Sequence, residues 1–402
     1  MKLLIPLFSP ATGTWGGMTR VMAITQAAQQ AGHQVAFCAA GQLGTDLRER
    51  GFKVYPTPPA TFFGLPRPIS HIMEKRSQRI TLPVRQGKSI GNIWMVLMLS
   101  GMTQGTYLKR LVAAEQQAAQ DFRADTLFTD LDPGAILLAR LTGLPIAAAF
   151  QSVMKQGIGS MPWQWMNQGA RAVLKEYHLP DEPFDALWFG PQVLKIIPSI
   201  PELEREKPAP DVRYVGSLLG EINPSKAKEF EPERGKRYLF VYTGTGSVSL
   251  NTVRQVLTNL LPETGRVRAI IGAQSITQTI RQGAVELRPY ISAEALLPYC
   301  DWTICHGGQN TIIQSLTHGV PLAIFPGPIF ERRFNAMKIQ EAGAGRMGEL
   351  NEFNPQWLQD VFSQQETYAH ESAKLGERIQ LFGGAAAAVK AIENWRGMRK
   401  PS

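Results

Sequence analysis

Short apolar runs alternate with helical patterns along both halves of the 402-residue chain. Each run is typical of a buried parallel strand, and the helical patterns between the runs would cover the two faces of a sheet. In the N-terminal half, the predicted strands are residues 3–8, 34–39, 126–129 and 146–150, and a predicted helix covers residues 18–30. In the C-terminal half, the predicted strands are residues 238–243, 267–271, 285–287, 302–305 and 322–325, with helices at 251–260 and 311–318. The alternation predicts an α/β fold with two doubly wound units.

Two stretches of the N-terminal half interrupt the alternation. Residues 55–91 and 151–190 are rich in proline, glycine and aromatic residues and have no clear period. We expect long loops there, which leave the sheet and carry binding residues. Trp163, Trp165 and Trp188 in the second stretch either line a ligand cleft or pack in the core.

A change in composition separates the two units. Residues 198–237 contain six prolines and many charges with little apolar periodicity, which indicates a linker. A helical pattern with an alanine run lies near the end of the chain, at residues 374–395. The predicted boundaries are an N-terminal domain at 1–200, a linker at 201–236, a C-terminal domain at 237–380 and a final helix at 381–402.

Composition and charge narrow the class of protein. With 44% hydrophobic and 19% charged residues, the chain is typical of a globular protein. Its net charge of +9 suits an anionic partner, but the basic residues occur only in short clusters, so we do not expect nucleic-acid binding. A small anionic ligand is the favoured partner, and peripheral contact with an anionic membrane surface stays open.

The cysteines and the apolar segments bear on the compartment. Cys38, Cys300 and Cys305 fit no zinc spacing, so we expect buried free thiols in a reducing, cytoplasmic compartment. The apolar start at residues 1–8 is interrupted by a proline and lacks a cleavage site, which favours a strand over a signal peptide. The run at 93–99 is far shorter than the ~20 residues needed to cross a bilayer. No transmembrane segment is expected.

The clearest chemistry lies where a predicted strand runs into a glycine pair and then a helix. Gly307 and Gly308 allow a sharp turn, and the free N–H groups at the start of the helix would face whatever lies in it. A phosphate is the natural occupant of such a turn. His306 could donate a hydrogen bond to a phosphate oxygen, and Asn310 or Thr311 could cap the helix or reach the ligand. Taken alone, the glycine pair is equally compatible with a plain tight turn.

The sequence from His306 onward resembles the donor-site signature of the family 1 glycosyltransferases, which include UDP-glycosyltransferases and antibiotic glycosyltransferases. The resemblance rests on the His-Gly-Gly turn and on the end of the following helix, His-Gly-Val-Pro at residues 318–321. It extends back to Tyr290 and to a glycine-serine turn at residues 244–247, and forward to residues 343–345. The match covers nearly the whole chain and is tightest in the second half.

This resemblance implies the GT-B fold, in which two Rossmann-like domains face each other. The N-terminal domain would hold the acceptor, and the C-terminal domain would hold a nucleotide-sugar donor. An aromatic residue at the position of Tyr290 stacks on the nucleotide base in the family, and the glycine-serine turn, here with Ser247, contacts the donor phosphates.

The sequence departs from the family at the position of the usual catalytic base. The family places a histidine in the turn after the first strand, and the corresponding residue here is Gly17. Relatives without this histidine often use an aspartate, which makes Asp130 the leading candidate for the base and Asp132 the second. A carboxylate is a weak base toward an alcohol, so the site would suit an acidic or pre-activated acceptor. Asp130 could instead be the N-cap of a helix that starts at Pro133.

Two further departures concern the nucleotide and the sugar. Gln314 occupies the position at which many relatives carry an acidic residue that binds the ribose. Glu331 and Arg332 occupy the position of an Asp-Gln pair that holds the sugar hydroxyls in the family. Arg332 would favour a negatively charged sugar or acceptor, or would be a solvated cation.

Together these features predict an inverting, metal-independent glycosyltransferase that moves a sugar from a UDP- or TDP-sugar to a small-molecule acceptor, a natural product. No cofactor besides the nucleotide-sugar co-substrate is expected. One alternative is a non-catalytic nucleotide-sugar-binding protein, suggested by Gly17. Others are an epimerase on the same fold and a lipid-acceptor glycosyltransferase at a membrane surface, the latter suggested by the basic charge and the apolar run at 93–99.

Overall fold

The computed structural model describes residues 1–9, 15–66, 68–70, 89, 91–219, 230–244, 247–273 and 275–399. Within these ranges the strands form two seven-stranded sheets, one in each half of the chain. Much of the stretch at 55–91, where the sequence predicts a binding loop, and two residues of the glycine-serine turn lie outside the described residues.

The N-terminal sheet has the strand order β3-β2-β1-β4-β5-β6-β7, and its recorded strand pairs are parallel. Its strands are β1 (Lys2–Pro6), β2 (Gln34–Ala39), β3 (Lys53–Pro56), β4 (Thr126–Thr129), β5 (Ile146–Ala149), β6 (Val193–Ile197) and β7 (Val212–Tyr214). Strand β7 lies inside the predicted linker, so the N-terminal sheet continues past the predicted boundary at residue 200. A strand of three residues among prolines and charges gives no periodic signal, which explains the error.

The C-terminal sheet repeats this doubly wound plan with the order β10-β11-β9-β8-β12-β13-β14. Its strands are β8 (Arg237–Tyr242), β9 (Val267–Gly272), β10 (Ile280–Gln282), β11 (Val285–Arg288), β12 (Cys300–Cys305), β13 (Leu322–Ile324) and β14 (Gly345–Met347). Only the edge pair β10–β11 is antiparallel among the recorded pairs of this sheet. The predicted pair of Rossmann-like α/β domains is therefore confirmed.

Helices cover both sheets. In the first half they are α1 (Trp15–Gln30), α2 (Gly41–Glu49), α3 (Ile93–Leu99), α4 (Gly105–Phe122), α5 (Pro133–Thr142), α6 (Met161–Glu176) and α7 (Phe184–Phe189). In the second half they are α8 (Leu250–Leu260), α9 (Ala293–Leu296), α10 (Gln309–Thr317), α11 (Phe330–Glu341), α12 (Pro355–Phe362), α13 (Gln365–Leu381) and α14 (Gly384–Arg399). The three cysteines are buried free thiols, as predicted.

The prediction of a long loop at 151–190 is wrong, because this stretch forms α6 and α7. Its aromatic residues mask a helical pattern in which Trp188 is buried and Trp165 points outward, 44% exposed. Trp163 lies between these extremes, and its indole Nε1 donates to Asp185 Oδ1 at 2.9 Å. Plain packing therefore accounts for Trp188, while Trp165 stays available to a partner.

The apolar run at 93–99 belongs to the N-terminal core. It forms α3, which packs against α6, and the Asn92 side chain caps it by accepting from the N–H of Met95 at 2.9 Å. The buried rings of Trp94 and Trp188 meet edge to face, 6.1 Å between centroids. This run is therefore not a membrane contact. Among the described residues, no helix is long and apolar enough to cross a bilayer.

The end of the chain returns to the N-terminal domain. The predicted C-terminal helix is divided into α13 and α14 by Gly383 and Gly384, which adopt φ of 76° and 59°. Helix α14 packs on α1, and Ile392 and Trp395 are buried in the N-terminal core. The N–H of Gly384 donates to the carbonyl of Val215 at 2.8 Å, so the two segments that connect the domains are bonded to each other.

Candidate active site

Strand β12, a glycine turn and helix α10 build the first half of the site at the carboxyl edge of the C-terminal sheet. Gly307 has φ of 88°, and a Cβ there would lie 2.8 Å from the carbonyl oxygen of Arg332. The Asn335 side chain donates to the carbonyl of Gly307 at 3.0 Å and holds the turn in place. Only glycine fits this backbone without strain, which explains the glycine in the sequence.

The N-terminus of α10 is open toward the cleft. Its N-cap is Gly308, which has no side chain to accept a hydrogen bond from the first turn. The prediction that Asn310 or Thr311 caps the helix is therefore wrong, because both residues lie within the first turn. The first-turn N–H groups and the positive end of the helix dipole can attract an anion.

His306 lies at the end of β12 with its ring almost buried. Its Nδ1 is 3.2 Å from the carbonyl oxygen of Tyr242, and since a carbonyl only accepts, Nδ1 carries the ring proton. Burial lowers the pKa of His306 to about 4, and the positive charge of the nearby Arg332 contributes to this shift. The hydrogen bond to the carbonyl of Tyr242 acts in the opposite direction and raises the pKa. The neutral ring then has only a lone pair on Nε2. His306 can donate to a phosphate only after it takes up a proton, which a bound anion favours.

The loop after β8 covers the His306 ring from the other side. A Cβ on Gly244 would lie 3.0 Å from the ring, and Gly244 adopts φ of 59°. The predicted phosphate contact Ser247 donates instead to the carbonyl of Phe325 at 2.5 Å. Its hydroxyl proton thus fixes the loop, and its oxygen can still accept.

The two residues expected at the nucleoside are Tyr290, which precedes α9, and Gln314, which lies on α10. Tyr290, just before α9, is 61% exposed and presents an accessible ring. Gln314 donates through Nε2 to Glu294 Oε1 at 3.2 Å, and His318 Nε2 lies 2.8 Å from Glu294 Oε2. Glu294 was not predicted as a site residue, and it places a carboxylate beside Gln314, the amide at the position of the family's acid.

Strand β4, a turn and helix α5 build the facing half of the site in the N-terminal domain. The Asp132 side chain is the N-cap of α5 and accepts from the N–H groups of Gly134 at 2.7 Å and Ala135 at 3.3 Å. The N-cap alternative predicted for Asp130 therefore belongs to Asp132, which is 1% exposed. Burial raises the pKa of Asp132 to about 6, although the two hydrogen bonds that it accepts lower the pKa. Its oxygen is engaged inside the protein, which argues against a role as base.

Glu115 lies beside this cap in the core. Within the described residues, neither of its carboxyl oxygens has a hydrogen-bond partner. Burial, and then the charge of Asp132, raise the pKa of Glu115 well above its ordinary value. The pair therefore holds acid groups that resist ionisation in the folded protein.

Asp130 is held by Arg20, a residue that the sequence analysis did not select. Arg20 donates through Nε to Asp130 Oδ2 at 3.1 Å and through Nη2 to Oδ1 at 3.2 Å. A Cβ on Gly17 would lie 2.9 Å from Asp130 Oδ2, so the position of the family's histidine faces this carboxylate. Arg20 follows Gly17 by three residues on the same face of α1, which is the signal that could have identified it.

Charged residues of both domains meet around this pair. Arg20 Nη1 donates to Gln309 Oε1 at 3.2 Å, and Gln309 Nε2 donates to the carbonyl of Pro198 at 3.0 Å. Burial raises the pKa of Glu331, while the charges of Arg20 and Arg332 oppose this rise. The structure thus brings Asp130, Glu331 and Arg332 close enough for their charges to act on one another, with His306 beside Arg332. The bond from Arg20 to Gln309 joins the two domains at this place.

Comparison with known sequences finds one family model that matches most of the C-terminal domain. Residues 267–380 match the family described as erythromycin biosynthesis protein CIII-like, C-terminal domain. The 3-alpha-mycarosylerythronolide B desosaminyl transferase of Saccharopolyspora erythraea is 31% identical over 159 residues, 37% of each chain. The UDP-N-acetylglucosamine–N-acetylmuramyl-(pentapeptide) pyrophosphoryl-undecaprenol N-acetylglucosamine transferase of Thiobacillus denitrificans is 26% identical over 189 residues, 43% of this chain and 52% of that protein. The chain spans about half or less of the length of these curated relatives.

Solved structures match over the whole chain. CalG4, the calicheamicin glycosyltransferase, superposes with a TM-score of 0.75 at 14% identity and covers 100% of this chain and 99% of that one. The glycosyltransferase VinC in complex with DTDP superposes with a TM-score of 0.68 at 15% identity, covering 99% and 100%. Residues 267–380 are therefore similar to the EryCIII-like C-terminal domain, and the chain has the two-domain GT-B fold of these glycosyltransferase structures.

Proposed function

We propose that this chain is a glycosyltransferase that moves a sugar from a nucleoside diphosphate sugar to a small-molecule, natural-product acceptor. The observation that carries the proposal is the open N-terminus of α10 beside His306. Such a helix end binds a diphosphate through its free N–H groups. The enzyme names of the relatives support transfer, and those names include antibiotic glycosyltransferases.

The proposed reaction is a single displacement with inversion. The diphosphate would lie on the Gly307–Gly308 turn, and the acceptor would approach from the Asp130 side of the cleft. The acceptor oxygen then bonds to the anomeric carbon as the bond from that carbon to the diphosphate oxygen breaks. The acceptor proton passes to Asp130. Attack from the face opposite the leaving group inverts the anomeric centre.

The leaving diphosphate would be stabilised by the protein itself. Its charge would develop against the α10 N-terminus and a protonated His306, in a partly buried site where such contacts are strong. We propose that this arrangement works without a metal ion. Transfer that persists in excess chelator would support this, whereas loss of transfer that Mg²⁺ restores would contradict it.

The nature of the proposed base constrains the acceptor. The carboxylate of Asp130 is a weak base toward an alcohol. This favours an acceptor more acidic than an alcohol, such as a phenol or a carboxylic acid. A matched pair of aromatic acceptors, one with a phenol and one with a benzylic alcohol, tests this, because only the phenol should react well.

The nucleotide stays open between UDP and TDP. The name of the Thiobacillus relative gives a UDP-sugar, and the VinC structure contains DTDP. A thermal-shift screen of UDP- and TDP-sugars should identify the pair that raises the Tm most. Transfer assays with that donor then test the enzyme. A protein that binds the donor but neither transfers nor hydrolyses the sugar would be a non-catalytic binding protein.

A lipid-linked acceptor is a second candidate. The name of the Thiobacillus relative includes a pyrophosphoryl-undecaprenol acceptor. In this chain Met161 and Trp165 lie four residues apart on α6, 53% and 44% exposed, and Ile158 just before them is 45% exposed. Co-sedimentation with anionic liposomes at low salt, lost in Trp165→Ser, would support this candidate. No binding under these conditions would remove it.

A further inference from the structure

Arg20 occupies an unusual place between the two halves of the cleft. It belongs to α1 of the N-terminal domain, yet it donates to the side chain of Gln309, the first residue of α10. It also donates two hydrogen bonds to Asp130. Arg20 therefore contacts both the proposed base, Asp130, and the first residue of the helix that follows the proposed diphosphate turn.

Arg20 lies in a largely buried group of charged side chains, in which Asp130 is its ion-pair partner and Glu331 is a nearby acid. Its side chain is 13% exposed and that of Asp130 is 4% exposed, so the pair is largely removed from water. Both members of the pair affect the pKa of the Glu331 carboxyl, which Arg20 lowers and Asp130 raises. A charged pair in such a site is strongly coupled, and a second anion nearby would compete for the guanidinium.

We propose that Arg20 binds the diphosphate of the donor, and that donor binding draws it away from Asp130. The inference rests on the proposed function, since it takes a nucleoside diphosphate as the ligand of the turn. The guanidinium forms bidentate bonds with phosphate as readily as with carboxylate. Its hydrogen bond to Gln309, the first residue of α10, already holds it beside the start of the helix where the diphosphate would lie.

The exchange has a consequence for the order of events. Without donor, Arg20 covers Asp130 and hinders its use as a base. With donor bound, Asp130 loses at least one hydrogen bond from Arg20 and gains lone pairs for the acceptor proton. The base thus becomes available only when a sugar is present to be transferred.

Four proteins test the exchange by isothermal titration with UDP and TDP: the wild type, Arg20→Met, Asp130→Asn and the double variant. Arg20→Met should weaken binding by about 10–100-fold, the usual loss for one charge-assisted contact. Asp130→Asn should tighten binding several-fold, because a neutral amide competes less for Arg20. The double variant should bind like Arg20→Met.

Two controls separate this exchange from simpler effects. Binding of UMP or TMP, which lack the outer phosphate, should change much less in Arg20→Met than binding of UDP or TDP. Arg20→Lys, which keeps the charge but loses the fork of donors, should give an intermediate affinity and replaces Arg20→Met if that variant does not fold.

Several results would overturn the inference. Unchanged UDP and TDP affinity in Arg20→Met, or in Arg20→Lys where that variant replaces it, would show that Arg20 serves only to hold Asp130. Tightening by Asp130→Asn that persists without Arg20 would assign the effect to the general field of the cleft. Failure of the wild type to bind any nucleoside diphosphate is a different outcome, since it removes the proposed function itself.

Discussion

The turns after β4 and after β12 follow the same path, and they differ in what fills them. Each turn begins at the end of a buried strand with a functional candidate, Asp130 in one domain and His306 in the other. The second residue has positive φ in both, 70° at Leu131 and 88° at Gly307. The third residue is the N-cap of the following helix. The two domains therefore use one backbone design at equivalent places in their sheets.

The third position creates the difference. In the N-terminal domain it is Asp132, whose carboxylate satisfies the N–H groups of α5. In the C-terminal domain it is Gly308, which leaves the N-terminus of α10 without a side-chain cap. A helix end attracts an external anion only when the protein supplies none of its own. This difference is the reason why we propose the diphosphate at the turn after β12 and the acceptor at the turn after β4.

The largest effect is expected from Asp130→Asn, which keeps the size of the side chain and removes the proton acceptor. Initial rates of transfer should fall by about 10²–10⁴-fold, the usual contribution of a general base. Nucleotide binding should persist. Asp132→Asn is the matched control at the neighbouring aspartate, and it should change stability more than turnover. Near-normal rates in Asp130→Asn would place the base elsewhere.

His306→Ala tests the equivalent position of the other turn. Transfer should fall by about 10²–10³-fold, as when one donor to a developing charge is lost, with an unchanged melting temperature. Because the pKa of free His306 is about 4, donation to the donor requires proton uptake. Wild-type affinity for the UDP- or TDP-sugar should therefore rise from pH 8 to pH 6 relative to that of the variant. Parallel pH profiles would contradict this role.

Gly308→Asp would give α10 a side-chain N-cap like the one that Asp132 gives α5. The new carboxylate should cap α10 as Asp132 caps α5 and repel the diphosphate, weakening UDP or TDP binding by roughly 10–100-fold. Gly308→Asn is the control, since both variants must move His306 Nε2, 2.8 Å from a Cβ at this position. Equal losses in the two variants would show that bulk, rather than charge, blocks the site.

Asp132→Ala tests whether Asp132 serves as the N-cap of α5 and contributes to stability. Loss of a helix N-cap costs about 1–2 kcal/mol in the free energy of unfolding, which urea denaturation measures. UDP affinity should stay at the wild-type level, because the change lies beneath the opposite turn. A large loss of UDP binding without loss of stability would reverse the assignment of the two turns.

The smallest expected effect is a pH-dependent stabilisation by Glu115→Gln. The unfolded carboxyl titrates near pH ~4.3, whereas the buried one keeps its proton to higher pH, so stability falls as the pH rises above that value. The glutamine side chain does not ionise, so its contribution to stability does not change with pH in this range. The Tm of the variant should exceed that of wild type by a few degrees at pH 8 and by less at pH 5. The exposed Glu377→Gln is the control, expected to show no such trend.

The sequence sufficed for those features that local pattern determines. The strand at Gln34–Ala39 and the strand at Thr126–Thr129 have the predicted bounds, because buried parallel strands are continuous apolar runs. The glycine turn was also predictable, since Gly307 marks a backbone that other residues avoid. The family resemblance then supplied the GT-B fold.

The rest depends on contacts between distant residues. Arg20 and Gln309 are 289 positions apart, and no local period indicates that they meet. The same holds for Glu294 beside Gln314, and for β7, whose only signal is its pairing with β6. The choice between Asp130 and Asp132 also required coordinates, because two aspartates one residue apart look alike until one of them is seen to cap a helix.

The bond between Gly384 and Val215 bears on how the cleft changes shape. The chain crosses between the domains at two places, and this bond ties them side by side. Gly216 packs so closely there that a Cβ would lie 2.2 Å from the carbonyl oxygen of Ile379. Because the two crossings are bonded and closely packed, a change in the angle between the domains would have to move them together. Opening of the cleft would also break the hydrogen bond from Arg20 to Gln309, which joins the two domains.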